Sequence, residues 1–373
     1  MKRLALPAIL LMLAVSPALP WSNKEHILMT RIAAIRSIQD PATPQEMKTW
    51  LTQATELTDW DRQKYFFLYA RVGIVPPNVG GIAYWSTMPD MFAMIHKPDA
   101  AVAPFGVPER VLHYIDLEYF APRTTTRPAY ADDLSLRPSL SHFPRNISDP
   151  RYQQAGMLPW RVQDCYRKLL TQIRSGRLMD KPGQYPRDEH AAKWAGMLAH
   201  YLEDNTQPHH ATIDYKSRAY LPTNATALDV HQEMEYRLLD DPDNDFPQLR
   251  QQLWDLFLAA LDHVQDPAKT TDPWLSTLEI ALDSYNALPL IGHAAAHAIT
   301  QPDDGLTTLD TNAFFLFKGN IADQEMTVLQ LKARQMALAV IRVQKLWRLA
   351  WDQARAPQST ESEPMSPPLN RSR

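Results

Sequence analysis

Apolar residues recur with the spacing of an α-helix along most of this chain. The pattern is clearest in five stretches, HILMTRIAAIRSI, WRVQDCYRKLLTQIRSG, EHAAKWAGMLAHYLED, FPQLRQQLWDLFLAALDHV and VLQLKARQMALAVIRVQKLWRLAWDQA. Apolar side chains return there every three or four positions, so each helix has one face to bury. Alternating strands bounded by tight-turn pairs are not evident. The sequence therefore predicts an all-α fold, a multi-helix bundle with little or no sheet.

The prolines cluster between these helical stretches. Of the 31 prolines, 13 lie at 76–89, 98–108, 122–150 and 182–186. Because proline interrupts a helix, these segments predict long irregular loops that cap one end of the bundle. Loops of this length are more often functional than decorative.

The two ends of the chain differ from its middle. Residues 1–20 place Lys2 and Arg3 before an apolar run and small residues, which is typical of a secretory signal; the run is short for the alternative, a membrane anchor. Residues 356–373 have little apolar surface to bury and are predicted to be a disordered tail. We expect a single catalytic domain over residues 21–355, in the periplasm or secreted.

Charge and cysteine content narrow the class of protein. The formal net charge is −4, and it becomes −6 when the two cations of the signal leave. This mild acidic excess disfavours a protein that coats nucleic acid, although metal ions would supply local positive charge to a nuclease. Cys165 is the only cysteine, so the fold must depend on its core, and on metals if it binds them, rather than on disulfides.

A cluster of histidines and carboxylates carries the strongest chemical signal. Four of the 12 histidines lie between His200 and Glu235, about a tenth of the chain. His200 and Asp204 are four residues apart at the end of a helical stretch, and His231 and Glu235 repeat that spacing, so each pair shares a helix face. With His210, they make a ligand set that suits zinc. Spacing alone leaves open that they are capping and surface residues.

With these residues in view, the chain resembles the superfamily that contains bacterial zinc-dependent phospholipase C and zinc-dependent nucleases acting on single strands. Four blocks carry the likeness in order: WSNKEH with Trp21 and His26, WSTMPD with LHYIDLEYF, HYLEDNTQPHH, and His231 with Glu235. The third block is specific to the family. Together the blocks span about 215 residues, from Trp21 to Glu235.

The resemblance implies up to three zinc ions per chain. The first zinc would bind Asp90, His113, His200 and Asp204. The second, paired with the first through a bridging hydroxide, would bind His210, His231 and Glu235. The third would bind His26, Asp204 as a shared ligand, and the terminal amine and carbonyl of Trp21. Asp90 is also the candidate proton acceptor for the attacking water.

Three departures from the family pattern bear on these assignments. The terminal amine requires cleavage after Pro20, whereas cleavage after Ala18 suits signal peptidase better. Asp90 precedes His113 by a longer interval than is usual in the family, which makes Asp99 a second candidate and residues 93–107 a candidate insertion. Glu203 stands where glycine is common, and His209 where a small or apolar residue is common; both are expected at the rim of the site.

The resulting hypothesis is an exported zinc-dependent phosphoesterase that hydrolyses phosphodiesters with a metal-activated water. Glu235 as the last ligand favours the phospholipase C branch, with a phospholipid substrate and peripheral membrane contact. A nuclease or 3'-nucleotidase acting on single-stranded nucleic acid is the alternative; it would need stacking aromatic side chains, for which the candidates are Tyr84, Trp85, Tyr114 and Tyr201. A non-catalytic, metal-binding envelope protein is the third, disfavoured because the second zinc would have only three protein ligands. No protein partner can be inferred.

Overall fold

The computed structural model describes residues 21–55, 81–94, 105–121, 137–179, 189–225, 228–239, 246–300 and 307–357. These residues are mostly helical, so the all-α prediction is confirmed. The α-helices, numbered in chain order, are α1 Asn23–Gln39, α2 Gln45–Ala54, α3 Ile82–Trp85, α4 Met88–Met94, α5 Arg151–Ala155, α6 Leu158–Arg174, α7 Ala191–Asp204, α8 Val230–Tyr236, α9 Pro247–His263, α10 Pro273–Tyr285, α11 Leu288–His297, α12 Thr311–Leu316 and α13 Val328–Arg355. Short 3-10 helices span Glu109–Leu112, Leu117–Phe120, Leu140–His142, Pro208–Ala211 and Thr223–Ala225.

Strands within the described residues are few and short, in agreement with the expectation of little sheet. β1 Ile299–Thr300 pairs antiparallel with β2 Thr308–Leu309. β3 Lys318–Ile321 pairs antiparallel with β4 Gln324–Thr327. The second hairpin leads directly into α13.

The 28-residue helix α13 is the axis of the fold. It begins with a capping box, in which Thr327 and Gln330 satisfy each other's backbone N–H groups. Its apolar residues pack against α1, α6, α7 and α9. The indole of Trp347 donates to the carbonyl oxygen of Ala195 at 3.1 Å, which ties α13 to α7. Among the described helices, α13 included, none has an apolar stretch long enough to cross a bilayer.

Helix α7 is the innermost helix and it leads to the candidate site. All of its residues are buried, because α1, α3, α6 and α13 surround it. His190 caps its first turn by accepting from the backbone N–H of Lys193 at 3.2 Å. Gly196 allows α3 to approach, since a Cβ atom there would lie 2.4 Å from the carbonyl oxygen of Ile82. The last turn of α7 therefore ends in the interior.

The main cluster of buried apolar side chains runs from Trp21 to Trp351. It therefore joins the first and last described helices. The predicted signal segment, residues 1–20, lies outside the described residues, as does the predicted tail beyond residue 357.

Candidate metal centre

Three groups of buried histidines and carboxylates lie near the end of α7. In each group the candidate ligand atoms lie within 4.8 Å of one another. The groups are His26, Asp90 and His200; His113, His200 and Asp204; and His210, His231 and Glu235. Together they include eight of the nine residues that the sequence proposed as ligands, and Trp21 is the ninth.

The first predicted zinc site is assembled from three separate segments. His200 and Asp204 lie one turn apart on α7, with His200 Nε2 3.2 Å from Asp204 Oδ2. His113 places Nδ1 2.9 Å from that same oxygen and 3.1 Å from His200 Nε2. Asp90, on α4, brings Oδ1 to 3.6 Å from His200 Nε2 and 3.8 Å from His113 Nδ1. The four residues thus converge as the resemblance implies.

The second predicted site joins α8 to the 3-10 turn after α7. His231 Nε2 lies 2.5 Å from Glu235 Oε1, one turn along α8, and 3.1 Å from His210 Nε2. His210 Nε2 is 3.4 Å from Glu235 Oε1. The amide of Gln207 donates to the same carboxylate oxygen at 2.7 Å, which fixes its orientation.

His26 connects α1 to the first group. Its Nε2 lies 3.5 Å from Asp204 Oδ1 and 4.0 Å from Asp90 Oδ2, and its ring stacks on that of His200 with centroids 4.0 Å apart. The two oxygens of Asp204 therefore face different neighbours, His26 on one side and His113 with His200 on the other. The two oxygens of Asp90 likewise face different neighbours. The carboxylate of Asp204 or that of Asp90 could therefore bridge two ions.

The side chain of Trp21 is buried beside this group. Its indole N–H donates to the carbonyl oxygen of Glu203 at 2.7 Å. The ammonium of Lys332 lies 4.9 Å from the centre of its ring. The cleavage that would free its backbone amine falls outside the described residues, so its role as a ligand stays a prediction.

Backbone carbonyls orient two of the histidines. His200 Nδ1 donates to the carbonyl oxygen of Ser86 at 2.7 Å, and His210 Nδ1 donates to that of His113 at 2.7 Å. With the proton held on Nδ1, the lone pair of Nε2 faces the other candidate ligands. Hydrogen bonds of this kind set the tautomer of metal-binding histidines.

Burial makes the negative charges of the site costly. It raises the pKa of Asp90 well above its ordinary value, and the nearby Asp204 and Glu235 raise it further, whereas His200 lowers it. Burial likewise raises the pKa of Asp204, with Glu235 adding to the effect and His210 opposing it. Burial also raises the pKa of Glu235, but His231 and His210 lower it more, so its pKa is below the ordinary value.

The histidines show the opposite response. Burial lowers the pKa of His26, His113 and His200, and neighbouring imidazoles lower the first two further. Neutral imidazole is the form that binds a metal ion. These three ligands therefore need lose no proton before they bind one.

Several buried atoms at the site lack a hydrogen-bond partner among the described residues. They include His26 Nε2, Asp90 Oδ1 and Asp204 Oδ1. A buried polar atom without a partner costs about 1–3 kcal/mol, and more when it is charged. Zinc bonds of about 2.1 Å at tetrahedral angles separate ligand atoms by about 3.4 Å. Most separations in the two predicted sites are near this value, and the 2.5 Å between His231 Nε2 and Glu235 Oε1 is shorter. The residues therefore fit divalent cations, and these clusters could hold metal ions.

Two rim assignments from the sequence are wrong. Glu203 is fully buried between α7 and α1, because all sides of α7 are covered. His209 is also buried, with Nε2 3.0 Å from the hydroxyl of Ser217 and its ring 5.3 Å from that of His231. Asp99 and most of the candidate insertion lie outside the described residues, and Asp90 supplies the carboxylate of the first group.

The proposed base-stacking aromatics are only partly available. Tyr201 and Trp85 are buried, while Tyr84 and Tyr114 are partly exposed. Tyr201 instead packs edge-on against His113 and His200, with ring centroids 5.2 Å apart in both pairs. It supports the ligands rather than offering a free face.

A charged network behind the ligands was not identified from the sequence. Arg161 is fully buried and donates to Glu109 Oε1 at 3.1 Å, and the hydroxyl of Tyr201 donates to the same oxygen. Lys332, also buried, pairs with Glu25 Oε1 at 2.6 Å and donates to the carbonyl oxygen of Glu235 at 3.4 Å. These partners lie 52 to 307 residues apart along the chain, so no local motif could reveal them.

Comparison with known proteins adds no relative: no protein-family model, no curated protein and no solved structure matches this chain.

Proposed function

We propose that this protein binds up to three zinc ions at the three predicted sites, which the buried groups surround, and hydrolyses phosphodiesters outside the cytoplasm, with phospholipids as its substrates. One observation carries the proposal. Eight residues chosen from the order and spacing of four sequence blocks meet in one buried region, with unpaired acceptor atoms between them. A set of unrelated capping or surface residues would have no reason to converge in this way.

The ligand chemistry favours zinc among divalent cations. Each group combines imidazole nitrogen with carboxylate oxygen, a mixture that suits zinc better than calcium or magnesium, which prefer oxygen alone. Zinc bound there would lower the pKa of a coordinated water and neutralise charge on a phosphodiester.

The residues of the chain would divide the remaining tasks. Asp90 has an unpaired oxygen beside His200 and is the proposed proton acceptor for the attacking water. Gln207 holds Glu235, and the carbonyl of Ser86 holds His200, so both ligands stay in place as charge develops.

Two exposed apolar side chains closely follow candidate ligands along the chain. Met91 follows Asp90 directly, and Ile213 lies three residues after His210; both are among the few large apolar side chains exposed in the described structure. The burial of Tyr201 and Trp85 removes two of the four candidates for base stacking, and Glu235 is the last ligand that the phospholipase branch carries.

The experiment measures the zinc content of the purified protein and its hydrolysis of two substrates, phosphatidylcholine vesicles and single-stranded DNA, with and without a chelator. We expect close to three zinc ions per chain and release of phosphocholine that the chelator abolishes. Cleavage of DNA alone would replace the lipase with the nuclease. Bound zinc without either activity would favour the non-catalytic alternative, and absence of zinc would overturn the proposal.

A further inference from the structure

Glu203 is a buried carboxylate directly before Asp204, and no part of the proposed reaction uses it. Its Oε2 lies 2.6 Å from His26 Nδ1, and its Oε1 accepts from the hydroxyl of Thr30 at 2.9 Å. Glu203, His26 and Thr30 are all fully buried. The carboxylate therefore faces α1 with both oxygens engaged.

The two nitrogens of His26 point to consecutive residues of α7. Nδ1 meets Glu203, while Nε2 lies 3.5 Å from Asp204 Oδ1. Glu203 thus lies on the opposite edge of the ring from the candidate metal position.

A carboxylate in this position determines which nitrogen of the imidazole carries the proton. When Nδ1 donates to Glu203, Nε2 keeps its lone pair and can bind a cation. In the other tautomer the proton lies on Nε2 and points at Asp204, so it would occupy the position of the ion. Burial raises the pKa of Glu203 well above its ordinary value, and the hydrogen bond from Thr30 lowers it. When Glu203 is ionised, its charge behind the ring would also make Nε2 a stronger donor to a metal.

We infer that Glu203 is the positioning residue of the third metal site, and that it holds His26 in the metal-binding tautomer. The inference rests on the proposed function. Glu203 orients His26 in this way whether or not Trp21 carries a free amine. Because Glu203 acts through His26, removing it affects the zinc held by His26 more than the other two.

The test titrates zinc-loaded protein with a chromophoric chelator and counts the zinc retained at each step. In Glu203→Ala, one zinc ion should dissociate at a chelator concentration about 10- to 100-fold lower than in the wild type. This is the usual loss of metal affinity when the hydrogen-bond partner of a metal-binding histidine is removed. Glu203→Gln keeps a hydrogen-bond acceptor but loses the charge, so its shift should be smaller. If Glu203→Ala fails to fold, Glu203→Gln decides the question.

Two control variants separate positioning from structural support. Thr30→Val removes the other side-chain hydrogen bond of Glu203 but leaves its contact with His26, so it should shift the titration less than Glu203→Ala does. Glu118→Gln changes another buried carboxylate, one that accepts from Thr212 and Tyr285. Glu118→Gln should titrate as the wild type does.

If both Glu203 variants release zinc as the wild type does, this inference is overturned and the proposed function is not. A wild-type protein without zinc would overturn the proposed function and this inference together. Zinc without hydrolysis would overturn only the proposed function, because the titration does not depend on turnover.

Discussion

At the scale of single residues, the candidate ligands are held by hydrogen bonds on the side away from the metal positions. His26, His200 and His210 each engage Nδ1 with an oxygen of the protein and direct Nε2 inward. Such preorganisation reduces the rotamer entropy that is lost when an ion binds. The hydrogen bonds of the folded chain therefore already orient these candidate ligands for a cation.

Replacing His200 tests the centre of the arrangement. His200 belongs to two of the three groups, so His200→Ala should remove zinc and lower hydrolysis by at least about 100-fold. Metal analysis and the vesicle assay measure both effects. The control is His263→Ala, at the exposed end of α9, which should keep wild-type zinc and rate; full zinc content and rate in His200→Ala would show that the assigned ligands are wrong.

The sequence predicted the convergence of the candidate ligands better than it predicted their surroundings. The pairs His200 with Asp204 and His231 with Glu235 follow from the pitch of a helix, which any helical sequence obeys. Whether Glu203 lies at a rim or in the interior depends on α1, which covers that side of α7. That contact forms between residues 173 positions apart, and single-sequence periodicity carries no information about it.

At the scale of elements, the distance between α7 and α3 determines where His200 finds its backbone acceptor. α3 ends next to Ser86, whose carbonyl accepts from His200. Gly196 lies one turn before His200 on α7, at the point where the two helices touch. The close packing of α3 against α7 therefore also places the carbonyl that orients His200.

Gly196→Ala should destabilise the protein although alanine favours a helix by about 1 kcal/mol. The new Cβ would lie 2.4 Å from Ile82 O and 2.6 Å from Trp85 Cβ. Overpacking of this kind costs about 1–3 kcal/mol. Urea unfolding should show a lower midpoint, and zinc should bind more weakly.

Gly319→Ala is the control for this prediction. Its Cβ would approach within 3 Å only the end of the flexible Leu290 side chain, at 2.8 Å, which can move. A Gly196→Ala midpoint at or above that of the wild type would contradict the described contact between α3 and α7.

Asp266 ties α13 to the segment between α9 and α10. Its Oδ2 accepts from Arg342 at 2.9 Å and from Lys345 at 2.7 Å, and Arg342 is buried. Burial raises the pKa of Asp266, but these cations lower it more, so its pKa lies below the ordinary value. The stabilisation is therefore present above about pH 4 and is lost as the pH falls through the lowered pKa of the folded state.

We accordingly expect Asp266→Asn to lower the free energy of unfolding at pH 7 by about 3 kcal/mol, because it leaves a buried cation without its partner. Near pH 3 the difference from the wild type should shrink. Urea unfolding at both pH values measures this. Asp262→Asn, which removes the exposed pair with Arg36, should cost less than about 1 kcal/mol; an Asp266→Asn effect independent of pH would contradict the assignment.

The element pattern was the most predictable part of the fold. The five periodic stretches correspond to α1, α6, α7, α9 and α13, since a long amphipathic repeat has few alternatives. The β3–β4 hairpin and the short helices α3 and α4 could not be predicted with the same ease, because few residues define each of them. α4 matters most of these, since it carries Asp90.

At the scale of the whole molecule, the buried carboxylates link the stability of the fold to the proposed metal ions. Asp90, Asp204 and Glu235 lie together in the interior, where burial and the neighbouring carboxylates raise the pKa of Asp90 and of Asp204. A bound cation supplies the missing opposite charge. Zinc should therefore stabilise the folded chain and bind the unfolded chain weakly.

The predicted linkage is quantitative. Above the dissociation constant, each tenfold rise in free zinc should add about 1.4 kcal/mol per site to the free energy of unfolding. Urea unfolding in zinc buffers measures the slope. His200→Ala should show a shallower slope, and a wild-type midpoint that is indifferent to free zinc would contradict metal binding at these groups.

The position of Lys332 in the chain determines when Glu25 can gain its ion-pair partner during synthesis. The proposed ligands end at Glu235, yet the ammonium that pairs with Glu25 and donates to the carbonyl of Glu235 belongs to α13, about a hundred residues later in synthesis. A nascent chain that has passed Glu235 but not reached Lys332 has every ligand and an unpaired Glu25 beside them. Glu25 therefore gains its cation only when α13 has been made, so we expect the proposed metal ions to bind late in the folding of the chain.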